Sequence, residues 1–294
     1  MSSPLSHRAL LSQNFLKDSR LVASLLDRLD LGNDSVVYEI GPGEGIITEQ
    51  LARRYRKVVA IEKDSRLAER LRQRYRGQPH VTIHSGDFLR HPLPHTPYKV
   101  FANIPFNTTS AIVTKLTEAE RPPEDAYLVM QREAAEMFLG RPRESLRSVL
   151  LKPWFDVTIV HRFRRADFLP APRVDVVMLR LRKRGPPLVT KNDRQCFRDF
   201  VVYVFTHWQP HRCNPLNDFF THRQMRAIER ELVFDHTTRQ ASLTIGQWLS
   251  LFEHLKAHGD TGKLRDIAGS EKRLRQQQEK LDKVHRTRVA GGNM

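Results

Sequence analysis

The chain has 294 residues, enough for one large or two modest domains with a substantial core. Its 39% hydrophobic and 28% charged content, with no apolar run near the roughly 18–20 residues of a bilayer span, point to a soluble globular protein and away from the membrane. The formal net charge of +16 favours a polyanionic partner, nucleic acid before membrane, unless it is merely a solvated excess.

Met1 to Arg8 lack the apolar core of a signal peptide. Cys196 and Cys213 form no C-x-x-C and no zinc set with the scattered histidines. A cytoplasmic, reduced and metal-free protein is the expectation.

In chain order, Ser12-Gln13-Asn14-Phe15-Leu16 reads as an arm able to fold over a neighbouring ligand, or as plain loop. Leu21, Val22, Leu25, Leu26 and Leu29 then recur at helical spacing, with Asp18 as cap. Val36-Val37-Tyr38 reads as a buried parallel strand leading into Glu39-Ile40-Gly41-Pro42-Gly43-Glu44-Gly45 and a short helix bearing Ile46, Ile47, Leu51 and Ala52. Such a turn lets backbone approach a ligand, with helix N–H groups nearby, or is simply a tight strand-to-helix loop.

A second strand, Val58 to Ile61, closes on Glu62, 21 residues beyond Gly41, the offset at which a carboxylate accepts both ribose hydroxyls. A third, Val81 to Ile83, leads to Asp87, a candidate acceptor for an adenine amine. Each acid is equally readable as a helix cap or a loop carboxylate, but the three features share one sheet edge. The fourth strand, Tyr98 to Ala102, ends in Asn103-Ile104-Pro105-Phe106. An amide oxygen, a backbone carbonyl beside a proline that lacks a donor, and an exposed ring suit a planar base carrying an amine. The competing reading makes Asn103 a helix cap and Phe106 core.

Asp125 to Met130 reads as a fifth strand followed by a helix, and Phe155 to Val160 with Val174 to Leu181 as a closing β-pair. Between these two strands, Phe168-Leu169-Pro170-Ala171-Pro172 reads as a stiff loop presenting Phe168. After Gly185-Pro186-Pro187 the pattern turns helical, around Phe197 to Trp208, Met225 to Leu232 and a capped helix from Thr244. The expected division is 1–185, a helical 188–258, and a basic, mobile tail over 259–294.

The set Ser-Gln-Asn-Phe-Leu, Glu-Ile-Gly-Pro-Gly-Glu-Gly, Glu62, Gly-Asp, Asn-Ile-Pro-Phe and Phe-x-Pro-x-Pro-x-Val-Asp resembles the rRNA adenine N6-methyltransferases over about residues 5–255. The resemblance implies an α/β fold, a Rossmann-like seven-stranded class I methyltransferase sheet with a small C-terminal all-helical domain for RNA binding. It implies S-adenosyl-L-methionine as cofactor, held by Gln13, Asn14, Leu16, Gly41, Gly43, Glu62, Asp87 and Asn103. Asn103, Ile104, Pro105 and Phe106 would be catalytic, with Phe106 stacked on the flipped base and Phe168 a candidate second plate. Ser12, Ile104 and Asn-Thr-Thr-Ser after the motif look more like the Erm group, with Phe106 in place of the Tyr common there. That group methylates an adenine in the peptidyl-transferase loop of 23S rRNA, naked or in an early large-subunit precursor, and gives macrolide, lincosamide and streptogramin B resistance. The expected working unit is a monomer. The alternatives are a 16S dimethyladenosine transferase or a non-catalytic RNA-binding factor on the same fold.

Overall fold

A computed structural model describes residues 14–29, 31–208, 214–235, 238–259 and 261–290. Gln13, expected in the cofactor pocket, lies outside them. By its contacts the chain divides into two units: residues up to Leu139 with Phe155–Gly185, and Gly140–Trp154 with the residues described from Pro186 onward.

The first unit opens on β1 (Phe15–Leu16) and α1 (Ser19–Arg28), the latter capped by Asp18, which accepts from the Arg20 and Leu21 N–H groups. Then follow β2 (Val36–Ile40), α2 (Ile46–Ala52), β3 (Lys57–Glu62), α3 (Ser65–Arg74), β4 (Val81–Ser85), β5 (Lys99–Asn103), α4 (Thr109–Glu118), β6 (Asp125–Gln131) and α5 (Arg132–Leu139). After α6 (Leu146–Leu151), which belongs to the second unit, come β7 (Phe155–Arg162), β8 (Phe168–Leu169) and β9 (Val176–Lys183). Seven strands form one sheet in the order β4-β3-β2-β5-β6-β9-β7. Its strands pair in parallel except β9, which runs antiparallel to both neighbours.

The β-branched runs become central strands because both sheet faces are covered. Val37, Val58, Ala60 and Phe101 are fully buried beside Leu26 and Leu51 in one cluster.

β1 and β8 form a separate two-stranded sheet, with Phe15 opposite Leu169 and Leu16 opposite Phe168. This pairing corrects the expectation for Phe168. Its ring is only 2% exposed and meets Phe163 edge-on at 5.3 Å, whereas Leu169 stands 67% exposed. Phe168 is a core residue, and the loop presents Leu169 instead.

In the second unit, α7 (Arg194–His207), α8 (His222–Leu232) and α9 (Ile245–His258) enclose Trp248, Phe197, Phe200 and Phe252. Val149 of α6 joins this core, so residues 140–154 depart from the expected boundary. The expected mobile tail also needs correction. It forms α10 (Thr261–Ile267) and α11 (Ser270–Ala290), and Ile267 is 1% exposed in the same core. Glu271 is paired with Arg198 at 2.5 Å, both side chains 8% exposed, while Asp199 accepts from the Gly269 and Glu271 N–H groups. A buried, doubly bonded ion pair fixes the start of α11 on α7.

Candidate active site

From β2 the chain winds outward through β3 and β4, then returns to β5 on the other side of β2. Open α/β sheets bind ligands beyond the strand carboxyl ends at such a reversal. Ile40 lies opposite Ala102, so the turn after β2 and Asn103 ending β5 open on the same edge.

The turn is built on glycine conformations. Gly43 has φ 58°, and a Cβ there would come within 2.7 Å of the Phe15 ring. Gly45 has φ 88°, and its Cβ would meet Leu71 at 2.6 Å. Side chains are refused twice, by the sign of φ and by lack of room.

Glu62 ends β3 with its carboxylate buried. Its Oε2 accepts the Gly43 N–H at 2.9 Å and its Oε1 the Asp64 N–H at 2.8 Å. Each oxygen retains a lone pair for a ligand hydroxyl. Asp87, beyond β4, accepts the Leu89 N–H at 2.9 Å and pairs with Lys63 at 3.2 Å. The Leu89 N–H above all, helped by Lys63 against a small effect of burial, holds the Asp87 carboxyl below the usual range.

Leu16, Gly41 and Asn103 line one cavity of about 320 Å³ together with Phe15, Lys17, Pro42, Glu44, Ile46, Ile47 and Leu169. At its rim the Asn103 Nδ2 donates to the Asn14 carbonyl at 2.7 Å, which leaves Oδ1 as an acceptor. Ile104 is buried and its N–H donates to the Val129 carbonyl at 3.2 Å, while its own carbonyl accepts no hydrogen bond among the described residues. The Pro105 carbonyl, by contrast, takes both the N–H and the hydroxyl of Thr108 at 3.1 Å. Phe106 is half-buried and leans on the core. The edge therefore offers two free oxygens beside a partly exposed ring.

Sequence reasoning gave Glu39 no role, yet it is a buried acid on the strand that leads into the turn. It is 1% exposed and its carboxyl oxygens make no hydrogen bond of ordinary geometry. Burial pushes its pKa up to about 8, with Thr48 pulling it down and the charge of Glu62 adding to the rise. The signal was an acid interrupting an apolar strand. Phe15 and Leu169 were also missed as cavity walls, since the two-residue β1–β8 pairing has no periodicity. Among the described residues no group of His, Cys, Asp and Glu is arranged to hold a metal ion.

A family model described as ribosomal RNA adenine dimethylase matches residues 5–257. An rRNA methyltransferase of Streptomyces thermotolerans is 34% identical over 252 residues, 86% of this chain and 84% of that protein. Ribosomal RNA small subunit methyltransferase A of Bacillus cereus is 30% identical over 270 residues, 86% of this chain and 92% of that one. Among solved structures, the 23S rRNA methyltransferase ErmE superposes with a TM-score of 0.75 at 33% identity, covering 83% of this chain and all of that one.

Proposed function

The chain belongs to the ribosomal RNA adenine dimethylase family, and on that premise we propose that it uses S-adenosyl-L-methionine to methylate N6 of one adenine in the peptidyl-transferase loop of 23S rRNA. The consequence for the cell is macrolide, lincosamide and streptogramin B resistance, with the enzyme acting as a cytoplasmic monomer. No helix among the described residues is long and apolar enough to cross a membrane.

The residues suit this cofactor. Gly41, with open space where a side chain would stand, leaves room for its methionine end and Gly43 lets the turn pass beneath Phe15; Glu62 offers buried acceptors to the ribose hydroxyls, and Asp87 offers an anionic acceptor to the adenine amine. When bound, the cofactor supplies an electrophilic methyl group on a sulfonium.

The observation that carries the reading is the Asn103–Asn14 hydrogen bond. With its NH₂ committed to the arm, Asn103 keeps Oδ1 as an acceptor for a ligand, and the Ile104 carbonyl is the second. Adenine N6 is a weak nucleophile because its lone pair is conjugated with the ring. Two acceptors on its two N–H bonds favour a pyramidal nitrogen and stabilise the charge that develops on it. Neither acceptor is a general base, since an amide stays neutral at pH 7. Phe106 stacks on the extruded base and offsets roughly 1–3 kcal/mol of lost stacking.

A 16S target is the second reading, supported by the small-subunit methyltransferase relative. Primer extension on 23S and 16S rRNA from cells expressing the protein separates the two. We expect one modified adenine in 23S rRNA and a raised macrolide threshold. A stop in 16S rRNA alone would overturn the 23S assignment.

A further inference from the structure

The outer face of α8 carries an arginine line that the methyl-transfer site does not use. Arg223, Arg226 and Arg230 are all exposed, while Met225 and Ile228 fix the opposite face in the core. At 3.6 residues per turn the three arginines fall within an arc of about 60° and span roughly 10 Å of helix axis. None of the three is ion-paired among the described residues, and the neighbouring Glu231 is taken up by His254 at 3.2 Å. The Arg230 Nε donates to the Arg226 carbonyl at 3.2 Å, which steadies that side chain along the helix.

The line ends in an apolar step. Arg226, Glu229, Arg230 and Phe234 border a groove of about 380 Å³. Beside it Val233 ends the helix at φ 55°, a left-handed conformation that a β-branched side chain rarely adopts, and it stands 85% exposed. Phe234 is half-buried against the helical core and shows only part of its ring. An exposed Val233 side chain beside guanidinium groups without ion-pair partners among the described residues suits an anionic partner that also carries apolar faces.

We propose that the Arg223–Arg226–Arg230 face of α8, with Val233 and Phe234 at its end, binds the backbone of the rRNA substrate, the arginines on successive phosphates and the apolar step against an unstacked base. This rests on the rRNA methyltransferase reading and adds a second contact region to it. Three guanidinium groups spread over roughly 10 Å of helix axis can each meet a different phosphate of one strand. Guanidinium forks suit phosphate oxygens, and aromatic or aliphatic edges suit the splayed bases of single-stranded RNA. An acidic protein segment would use the charges but would not need the apolar step.

The test measures binding by the full chain against salt, using a 23S peptidyl-transferase-region transcript and an unrelated stem-loop of equal length. The triple variant R223Q/R226Q/R230Q should lower the log–log slope by about 2 on both RNAs. KM for the transcript should rise while kcat and cofactor affinity hold. The Lys triple variant should keep the slope, and Phe234→Ala should weaken binding with the slope unchanged. An unchanged slope in the Gln triple variant overturns the proposal. So does a Lys triple variant that behaves like the Gln one, or poly-glutamate binding that falls while RNA binding does not. If wild type methylates no rRNA but the slope still drops in the Gln variant, the enzymatic reading fails and this surface stands.

Discussion

The Gly43 N–H donates to the Glu62 Oε2 at 2.9 Å, so the carboxylate at the end of β3 also clamps the turn after β2. Glu62→Ala therefore removes a ligand acceptor and the brace of the turn together. We expect cofactor affinity to fall by about 1.5–3 kcal/mol, the range for hydrogen bonds to a charged group. Glu62→Gln should rescue little, because both oxygens already accept backbone N–H groups and an NH₂ would face one of them. Calorimetry with S-adenosyl-L-methionine reads both variants, and unchanged affinity would sink the ribose assignment.

Asn103→Ala should abolish methyl transfer and leave cofactor affinity within a few-fold. The side chain is assigned to the substrate amine, and its loss frees only the Asn14 carbonyl at an open rim. Turnover within a few-fold of wild type would reduce the motif to a structural element.

Phe106 and Phe168 should part company under substitution. Phe106→Tyr keeps the ring face and should be tolerated. Phe106→Ala should lower kcat/KM by roughly one to two orders of magnitude without shifting the melting temperature much. Phe168→Ala instead opens a cavity at a 2% exposed position and should cost about 3–5 kcal/mol of stability. A Phe168→Ala protein that folds normally and loses only turnover would restore its role as a base plate.

Much of this division could be read from the sequence. The central strands stood out as β-branched apolar runs, and the glycine turn, Glu62 and Asn103 followed from strand ends at fixed offsets. Phe168 did not, because an aromatic residue between prolines gives no periodicity to tell inward from outward. Nor did the anchoring of the chain after Gly259. The apolar residues there, Leu264, Ile267, Leu274 and Leu281 among them, are scattered through a polar segment, and a buried ion pair such as Arg198–Glu271 looks like surface charge in sequence.

That anchor makes its own prediction. Truncation after residue 262 removes Glu271 from Arg198, the Gly269 and Glu271 N–H groups from Asp199, and Ile267 from the core, and should destabilise the helical unit by about 3–5 kcal/mol. Truncation after residue 280 should be nearly neutral for stability. Burial pushes the Glu271 carboxyl up, but Arg198 and Arg275 outweigh it and hold it down at about 2. Its contribution is present above the ordinary value of 4.5 and is lost as pH falls through about 2. Melting curves of the two truncations that coincide would refute the anchor.

Glu39 has the opposite pH signature. Its folded pKa is raised from 4.5 to about 8, so its contribution is fully present below 4.5 and is lost as pH rises through about 8. Glu39→Gln stays neutral, so it should gain stability relative to wild type as the pH is raised from 5 to 8. The slope expected in that window is about 1.4 kcal/mol per pH step of one. A stability difference that is flat with pH would mean that Glu39 is charged in the folded protein.

The β1–β8 pairing sets a timetable for synthesis. Asn14, whose carbonyl holds the Asn103 amide, is 89 residues upstream of it, and Phe15 next to it pairs with Leu169. The arm is made well before its partner strand, which follows β2 to β7 in the chain. A nascent chain that ends between Asn103 and Leu169 already carries the glycine turn and β5, but it lacks the strand that pairs with Phe15. Pairing of the arm with β8 therefore comes late in synthesis, and the edge where Asn14 meets Asn103 is braced by a strand that most of the unit must precede.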